Sequence, residues 1–259
     1  MLPRMLEIVD HGSIRELRLA RPPANALDPG LIQGLRAALA TAAEAGGLDA
    51  VVLSGTPGRF SGGLDVPALL ELGRDGIRAT WHAFFGLMRD IATSEIPVVA
   101  ALTGHSPAGG TVLALFTDYR IMANGPFALG LNEVQVGLPV PDVLLRALTY
   151  VVGTRHAERL AVSGLLIDPA EALRCGLVDE LVPPDQVVPR AVAWTRELLS
   201  RPRFAMTDTR RRIRRPLVQA FDGLDDEALE SVVDLWFSPE TQTTMRALAA
   251  RLGKGRSGG

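Results

Sequence analysis

Apolar positions along the 259-residue chain switch repeatedly between two periods, and the switching predicts alternating strands and helices. "LEIVD" and "IRELRLA" alternate like two strands meeting at His11-Gly12. Asp28-Pro29 reads as an N-cap and first helical position, and Leu31, Leu35, Leu39 and Ala42 follow at helical spacing. "DAVVLSG" is a short buried strand. It leads into the loop "TPGRFSGGLD", the apolar helix start "VPALLEL", and a longer amphipathic helix carrying Trp81, Phe84, Phe85, Met88 and Ile91. The pattern then recurs, with "IPVVAAL" a strand, "TGHSPAGG" a glycine-bearing loop, "TVLALFT" a helix and "YRIMA" a strand. "FALGLNEVQVGLP" reads as strand and loop. Asp168 as N-cap, Pro169 at the first helical position and Gly176 as a stop bound a short helix, and "LVDELVP" is the last strand. From about Val187 only helical segments remain. The prediction is an α/β core over residues 1–190 and a helical segment over 191–259.

Composition narrows the classes of function. The chain is 47% hydrophobic and 22% charged with a formal net charge of −2, as in an ordinary globular protein. No overall basicity invites nucleic acid, and no apolar run approaches the roughly 20 residues that cross a bilayer. A single cysteine, Cys175, excludes an internal disulfide and a cysteine-rich metal site, and fits a reducing compartment. The first residues bring Glu7 and Asp10 early and resemble neither a secretory signal nor an acid-poor transit peptide, so the expected location is cytoplasmic.

Three features bear on chemistry. The first is the pair of strand–glycine loop–helix units at Phe60–Asp65 and Gly104–Gly110. The first N–H groups of a helix have no intrahelical partner, and glycines let a substrate approach such a backbone. Neither loop fits a nucleotide-phosphate fingerprint. Two such loops can instead aim one N–H each at a developing oxyanion, although glycine also simply ends strands in α/β proteins. The second feature is "GHSPA", close to the G-x-S-x-G nucleophile elbow. A Ser106 hydrolase needs a downstream histidine, and His156, in the helix start "GTRHAERLA", is the only one. The third is Glu133, flanked by Leu131, Val134, Val136 and Leu138. It is either a surface residue on an alternating strand or a desolvated carboxyl with a raised pKa, useful as a base near neutrality. The basic run Arg210–Arg215 reads as a solvated helix face, with anion holding as the alternative.

At these residues the chain resembles the crotonase (enoyl-CoA hydratase/isomerase) superfamily. "ARPPANALD", "GRFSGGLDV", "PVVAALTGHSPAGGTVLALFTDYRIMA", "GLNEVQVGLP" and "GLLIDPAEALRCGLVDELVP" follow one another in family order over nearly the whole chain. The resemblance implies a ClpP-like ββα-superhelix core, a C-terminal helical oligomerisation segment, and a homotrimer or a dimer of trimers. It implies an acyl-CoA thioester as substrate, with no separate cofactor and no metal. By the same resemblance, the oxyanion-hole N–H groups fall on Leu64 and Gly109, and Ala24, Ala26, Phe60, Gly62 and Asp65 lie in the segments that contact CoA. Hydratases of the family carry two glutamates. Here the first position is Val112 and the second is Glu133, and "LPVPDVLL" replaces the hydratases' glycine-rich stretch. Both departures look most like the mitochondrial type of Δ3,Δ2-enoyl-CoA isomerase, with Glu133 as the single acid/base. The alternatives are hydration or another crotonase reaction, a serine hydrolase, and a non-catalytic binding protein on the same fold.

Overall fold

Five successive buried residues make a strand only where both faces of a sheet are covered, and Ala50–Ser54 and Val98–Leu102 are strands of this kind. The computed structural model describes residues 5–44 and 46–256. In chain order its elements begin with β1 (Leu6–Asp10), β2 (Ile14–Leu19), α1 (Pro29–Glu44), β3 (Ala50–Ser54), β4 (Gly58–Arg59), α2 (Val66–Leu70) and α3 (Arg74–Thr93). Then come β5 (Val98–Leu102), β6 (Gly104–Pro107), α4 (Gly109–Leu115), β7 (Tyr119–Ala123), β8 (Leu129–Gly130), α5 (Asp142–Ser163), α6 (Pro169–Arg174) and β9 (Glu180–Val182). Five helices complete the chain: α7 (Val187–Leu199), α8 (Arg203–Ile213), α9 (Arg215–Gln219), α10 (Asp226–Trp236) and α11 (Pro239–Arg256).

The main sheet has the order β1-β2-β3-β5-β7-β9, antiparallel at β1–β2 and parallel elsewhere. Each of β3, β5 and β7 is followed at once by a short strand of a second parallel sheet, ordered β4-β6-β8. The chain therefore winds as a strand pair followed by helix, and the loops leaving the second sheet are stacked beside one another. Alternation along the main strands serves two cores. Leu53, Val98, Ala100 and Leu102 face α1 and α3, whereas Val52, Val99, Ala101 and Ile121 face α7 through Val187, Ala191 and Val192.

The structure corrects three expectations. "TGHSPAGG" is not one loop, because Gly104–Pro107 is β6, whose register pairs Gly104 with Gly58 and Ser106 with Leu129. Four residues are too few for a period to declare itself. The division at residue 190 falls inside α7, whose apolar face is part of the sheet's second core, so the sheet layer extends to Leu199. Nor is the arginine run a solvated face throughout. Arg214 is 5% exposed, and Arg210 and Arg214 both grip Asp118, at 2.7 and 3.1 Å, tying α8 and α9 to the base of the sheet. Arg214 also donates to Phe116 O at 2.6 Å.

Beyond α9 the chain returns to its own core: α10 packs on α3, and α11 packs on α2 and on the 3-10 turn Glu133–Val136. Thr241, wholly buried in α11, donates to Gly137 O at 2.5 Å and closes that end of the molecule.

Candidate active site

The Phe60–Asp65 loop is held from below by the segment at residues 21–28. Asn25, buried and with φ at +49°, donates from Nδ2 to Arg59 O (3.0 Å) and Phe60 O (3.1 Å). Ser61 Oγ returns a bond to Asn25 O (2.8 Å), and Gly62 N–H donates to Ala24 O (2.8 Å). Leu27 pairs with Leu64 as a parallel bridge: Leu27 N–H donates to Gly63 O (2.8 Å), and Asp65 N–H donates to Leu27 O (3.0 Å). That pattern uses the Gly63 carbonyl and the Asp65 N–H, and leaves the Leu64 N–H unpaired among the described residues.

The second loop ends β6 and starts α4. Ala108, the N-cap, has φ +47° and ψ −122°, a conformation that costs a residue with a Cβ about 1–3 kcal/mol and persists only where its surroundings impose it. The surroundings are explicit. Ala108 N–H donates to Gly130 O (2.8 Å), Gly130 N–H donates to Thr111 Oγ1 (2.8 Å), and Thr111 Oγ1 donates to Ser106 O (2.5 Å). Gly109 follows as the first helical residue, where the N–H has no partner within the helix, and it has none elsewhere among the described residues.

Glycines let the two loops touch. A Cβ on Gly63, whose φ is +83°, would lie 2.9 Å from Gly109 N, and a Cβ on Gly109 would lie 3.2 Å from Leu64 N. A Cβ on Gly110 would lie 2.6 Å from Ser61 O. Close approach, rather than punctuation, therefore explains these glycines. Leu64 and Gly109, expected to act together, present adjacent free amides.

Glu133 opens the 3-10 turn that follows β8, three residues after the Gly130 peptide that braces Ala108 and Thr111. It is buried, so the surface-strand reading is wrong at this residue. The turn folds it inward beneath α11, whereas Val134 and Gln135 are exposed. Its Oε2 has no hydrogen-bond partner among the described residues. Burial penalises the carboxylate and, outweighing a hydrogen bond from the residue's own backbone, pushes its pKa up to about 7. Such a carboxyl is available both as base and as acid near neutral pH. Val112, which the family resemblance sets at the hydratases' other glutamate position, is wholly buried in α4.

The remaining expectations divide. Ala24 and Ala26 keep amide N–H groups with no partner among the described residues. Phe60 and Asp65 do not: Phe60 N–H donates to His105 O, Phe60 O accepts from Asn25, and Asp65 is engaged through both its amide and its carboxylate. These two residues, like Gly62, build the loop from within. The hydrolase reading fails on geometry. Ser106 Oγ is buried under the first turn of α4, and no histidine bonds to it among the described residues. Asn25 and Thr111 were not legible as site residues. The available signal was a polar side chain inside an otherwise small apolar run in each of "PPANALD" and "AGGTVLAL".

A ββα superhelix whose second-sheet strands feed two touching glycine loops is the crotonase architecture. The chain belongs to the enoyl-CoA hydratase/isomerase family, whose model matches residues 10–229, and it is an enzyme of that family. It is similar to human mitochondrial enoyl-CoA delta isomerase 1, with 31% identity over 252 residues spanning 96% of this chain and 83% of that protein. A probable enoyl-CoA hydratase, echA17, of Mycobacterium avium (strain 104) is 39% identical over 194 residues, 73% of this chain and 74% of its own length. The crystal structure of human mitochondrial Δ3-Δ2-enoyl-CoA isomerase superposes with a TM-score of 0.92 at 29% identity, covering 97% of this chain and 99% of that one.

Proposed function

We propose that the protein is a Δ3,Δ2-enoyl-CoA isomerase that converts 3-enoyl-CoA to trans-2-enoyl-CoA with one carboxyl group. The thioester oxygen sits between the N–H groups of Leu64 and Gly109. Ionised Glu133 takes a proton from C2, and the electron pair of that C–H bond moves toward the thioester, leaving an enolate oxygen that the two amides stabilise. As the enolate collapses, the double bond forms between C2 and C3, the C3–C4 π pair takes the proton at C4, and Glu133 is again ionised. The proton lost at C2 is the one gained at C4, so no water and no second acid take part. CoA lies along Ala24 and Ala26, with no metal or separate cofactor.

The observation that carries this reading is the pairing of Glu133, buried and with its Oε2 unpartnered among the described residues, with Val112 at the other acid position. The similarity to the human isomerase over 96% of the chain supports it. The 39% identity to a protein named as a hydratase supports hydration as the second reading. Turnover of 3-hexenoyl-CoA and of crotonyl-CoA by the purified protein separates the two. The isomerase reading expects rapid conversion of the first and little hydration of the second. Glu133→Gln should abolish conversion and Ser106→Ala should leave it nearly intact; the reverse pattern refutes the assignment.

Self-association to a trimer or a pair of trimers belongs to the same reading. It is supported by exposed apolar side chains on α5 and α8, including Val162, Phe204 and Ile213. Light scattering should give three or six times 27.7 kDa. The location that goes with this reading is the cytoplasm. No described helix is long and apolar enough to cross a membrane, and cell fractionation decides between cytoplasm and the mitochondrial location in the human relative's name.

A further inference from the structure

Arg21 opens the 21–28 segment that holds the first loop, and its guanidinium reaches three residues at once. Nε is 3.1 Å from Asp28 Oδ2, Nη2 is 2.7 Å from Asp65 Oδ2, and Nη1 donates to Ala26 O at 3.2 Å. Both carboxylates are N-caps. Asp28 Oδ1 accepts from Leu31 N–H in α1 (2.8 Å), and Asp65 Oδ1 accepts from Ala68 N–H in α2 (3.2 Å). One side chain therefore joins the starts of the two helices on either side of the Leu27–Leu64 bridge. Its main chain is fixed as well: Arg21 N–H donates to Asn25 Oδ1 (3.0 Å), and Asn25 N–H donates to Arg21 O (2.7 Å).

We propose that Arg21 is a positioning residue for the Leu64 N–H donor, an inference that rests on the oxyanion reading of Leu64 and Gly109. Leu27 anchors the peptide that carries the Leu64 N–H, donating to its carbonyl, Gly63 O, and also anchors the next peptide, accepting from Asp65 N–H. Where Leu27 stands relative to Asp65 is set by the guanidinium, which holds the residues before and after Leu27 and also Asp65 across the bridge. Charge adds to geometry. Without the guanidinium, the Asp28 and Asp65 carboxylates at the two ends of the bridge are left without their counter-charge, while negative charge develops on the thioester oxygen that the Leu64 N–H holds. The ground-state thioester is neutral and the enolate is not, so this repulsion weighs on the transition state. A lysine cannot replace the fork, because a single ammonium does not reach three acceptors in a plane.

The test compares Arg21→Met, Arg21→Lys and Asp65→Asn, with Glu133→Gln in parallel, on 3-hexenoyl-CoA. Arg21→Met should lower kcat on the order of 10- to 100-fold with KM close to the parent's, the penalty for a misplaced reacting group. Arg21→Lys should recover only part of the loss. Affinity for acetoacetyl-CoA, whose enolate places charge on the thioester oxygen, should fall along with kcat, while affinity for saturated hexanoyl-CoA holds. If Arg21→Met does not fold, Asp65→Asn carries the test, since it keeps the cap acceptor for Ala68 and removes the charge that Arg21 holds. Parental kcat in the folded variant, or a rise in KM with kcat unchanged, overturns the proposal. Full activity in Glu133→Gln sinks the isomerase reading itself. Loss in Glu133→Gln beside parental kcat in Arg21→Met sinks the Arg21 proposal alone.

Discussion

Replacing Glu133 by glutamine should destroy activity and stabilise the protein, by an amount that depends on pH in a stated direction. The carboxyl has a pKa of about 7 in the folded chain against 4.5 as the reference for an exposed glutamate, and burial is the cause. Between those values the folded state holds a proton that the unfolded state has released, so stability falls as pH rises through this window. Below pH 4.5 both states are protonated and the residue costs nothing. Above pH 7 the full penalty applies, because folding must bury a carboxylate. The difference corresponds to about 1 kcal/mol near pH 5 and about 3 kcal/mol at pH 8. Glutamine has nearly the same shape and no charge, so Glu133→Gln should gain little at pH 5 and about 3 kcal/mol at pH 8. Urea unfolding of both proteins at several pH values, compared at equal slopes, measures this directly. The same titration should appear in catalysis as a kcat/KM that climbs with pH to a plateau above about 7, since the base must be ionised. An advantage for the variant that is equal at pH 5 and pH 8 would refute the desolvation argument, and with it the account of why this carboxyl serves as a base.

Further outcomes follow from the two loops. Gly63→Ala places a Cβ 2.9 Å from Gly109 N on a backbone with φ of +83°. It should cut kcat by on the order of 100-fold and cost about 1–2 kcal/mol of stability, and parental kcat would show that the loops need not touch. Ala108→Gly relieves a residue held at φ +47° and should raise stability by up to about 1 kcal/mol. It should also lower kcat, because the Gly109 amide is aimed less firmly; a lower melting temperature with kcat unchanged would count against stored strain at this turn.

Much of the fold could be read from the chain because its strands are either fully buried runs or cleanly alternating ones. Asp28 and Asp168 do cap α1 and α6 through the amides of Leu31 and Glu171, as the Asp-Pro pairs imply. The second sheet escaped because β4 and β8 have two residues each and β6 has four. Such elements exist only because neighbouring loops are brought together in space. The arginine run misled for a related reason. Arg210 and Arg214 are charged residues on a helix, and nothing local indicates that Asp118, about ninety positions earlier, stands beneath them.

The site divides along the same line. Glycine positions and a carboxyl in an apolar run are local signals, and they led to the residues on which the two loops and the buried carboxyl turn. What the chain did not reveal is the direction in which each group works. Asp65 lies in a segment expected to contact CoA, and its carboxylate is bonded to Arg21 and to the first turn of α2, whereas Leu64 beside it keeps a free amide. Ala108 looked like an ordinary small residue, yet its conformation aims the next amide and is imposed by Gly130 from another strand. A crotonase-type site is thus made largely of main-chain groups whose availability is decided by what their neighbours have already bonded. Side-chain identity can nominate Glu133 and exclude an acid at Val112. Only the hydrogen-bond pattern of the folded chain separates the free amides of Leu64 and Gly109 from bonded ones beside them, such as those of Gly62, Asp65 and Ala108.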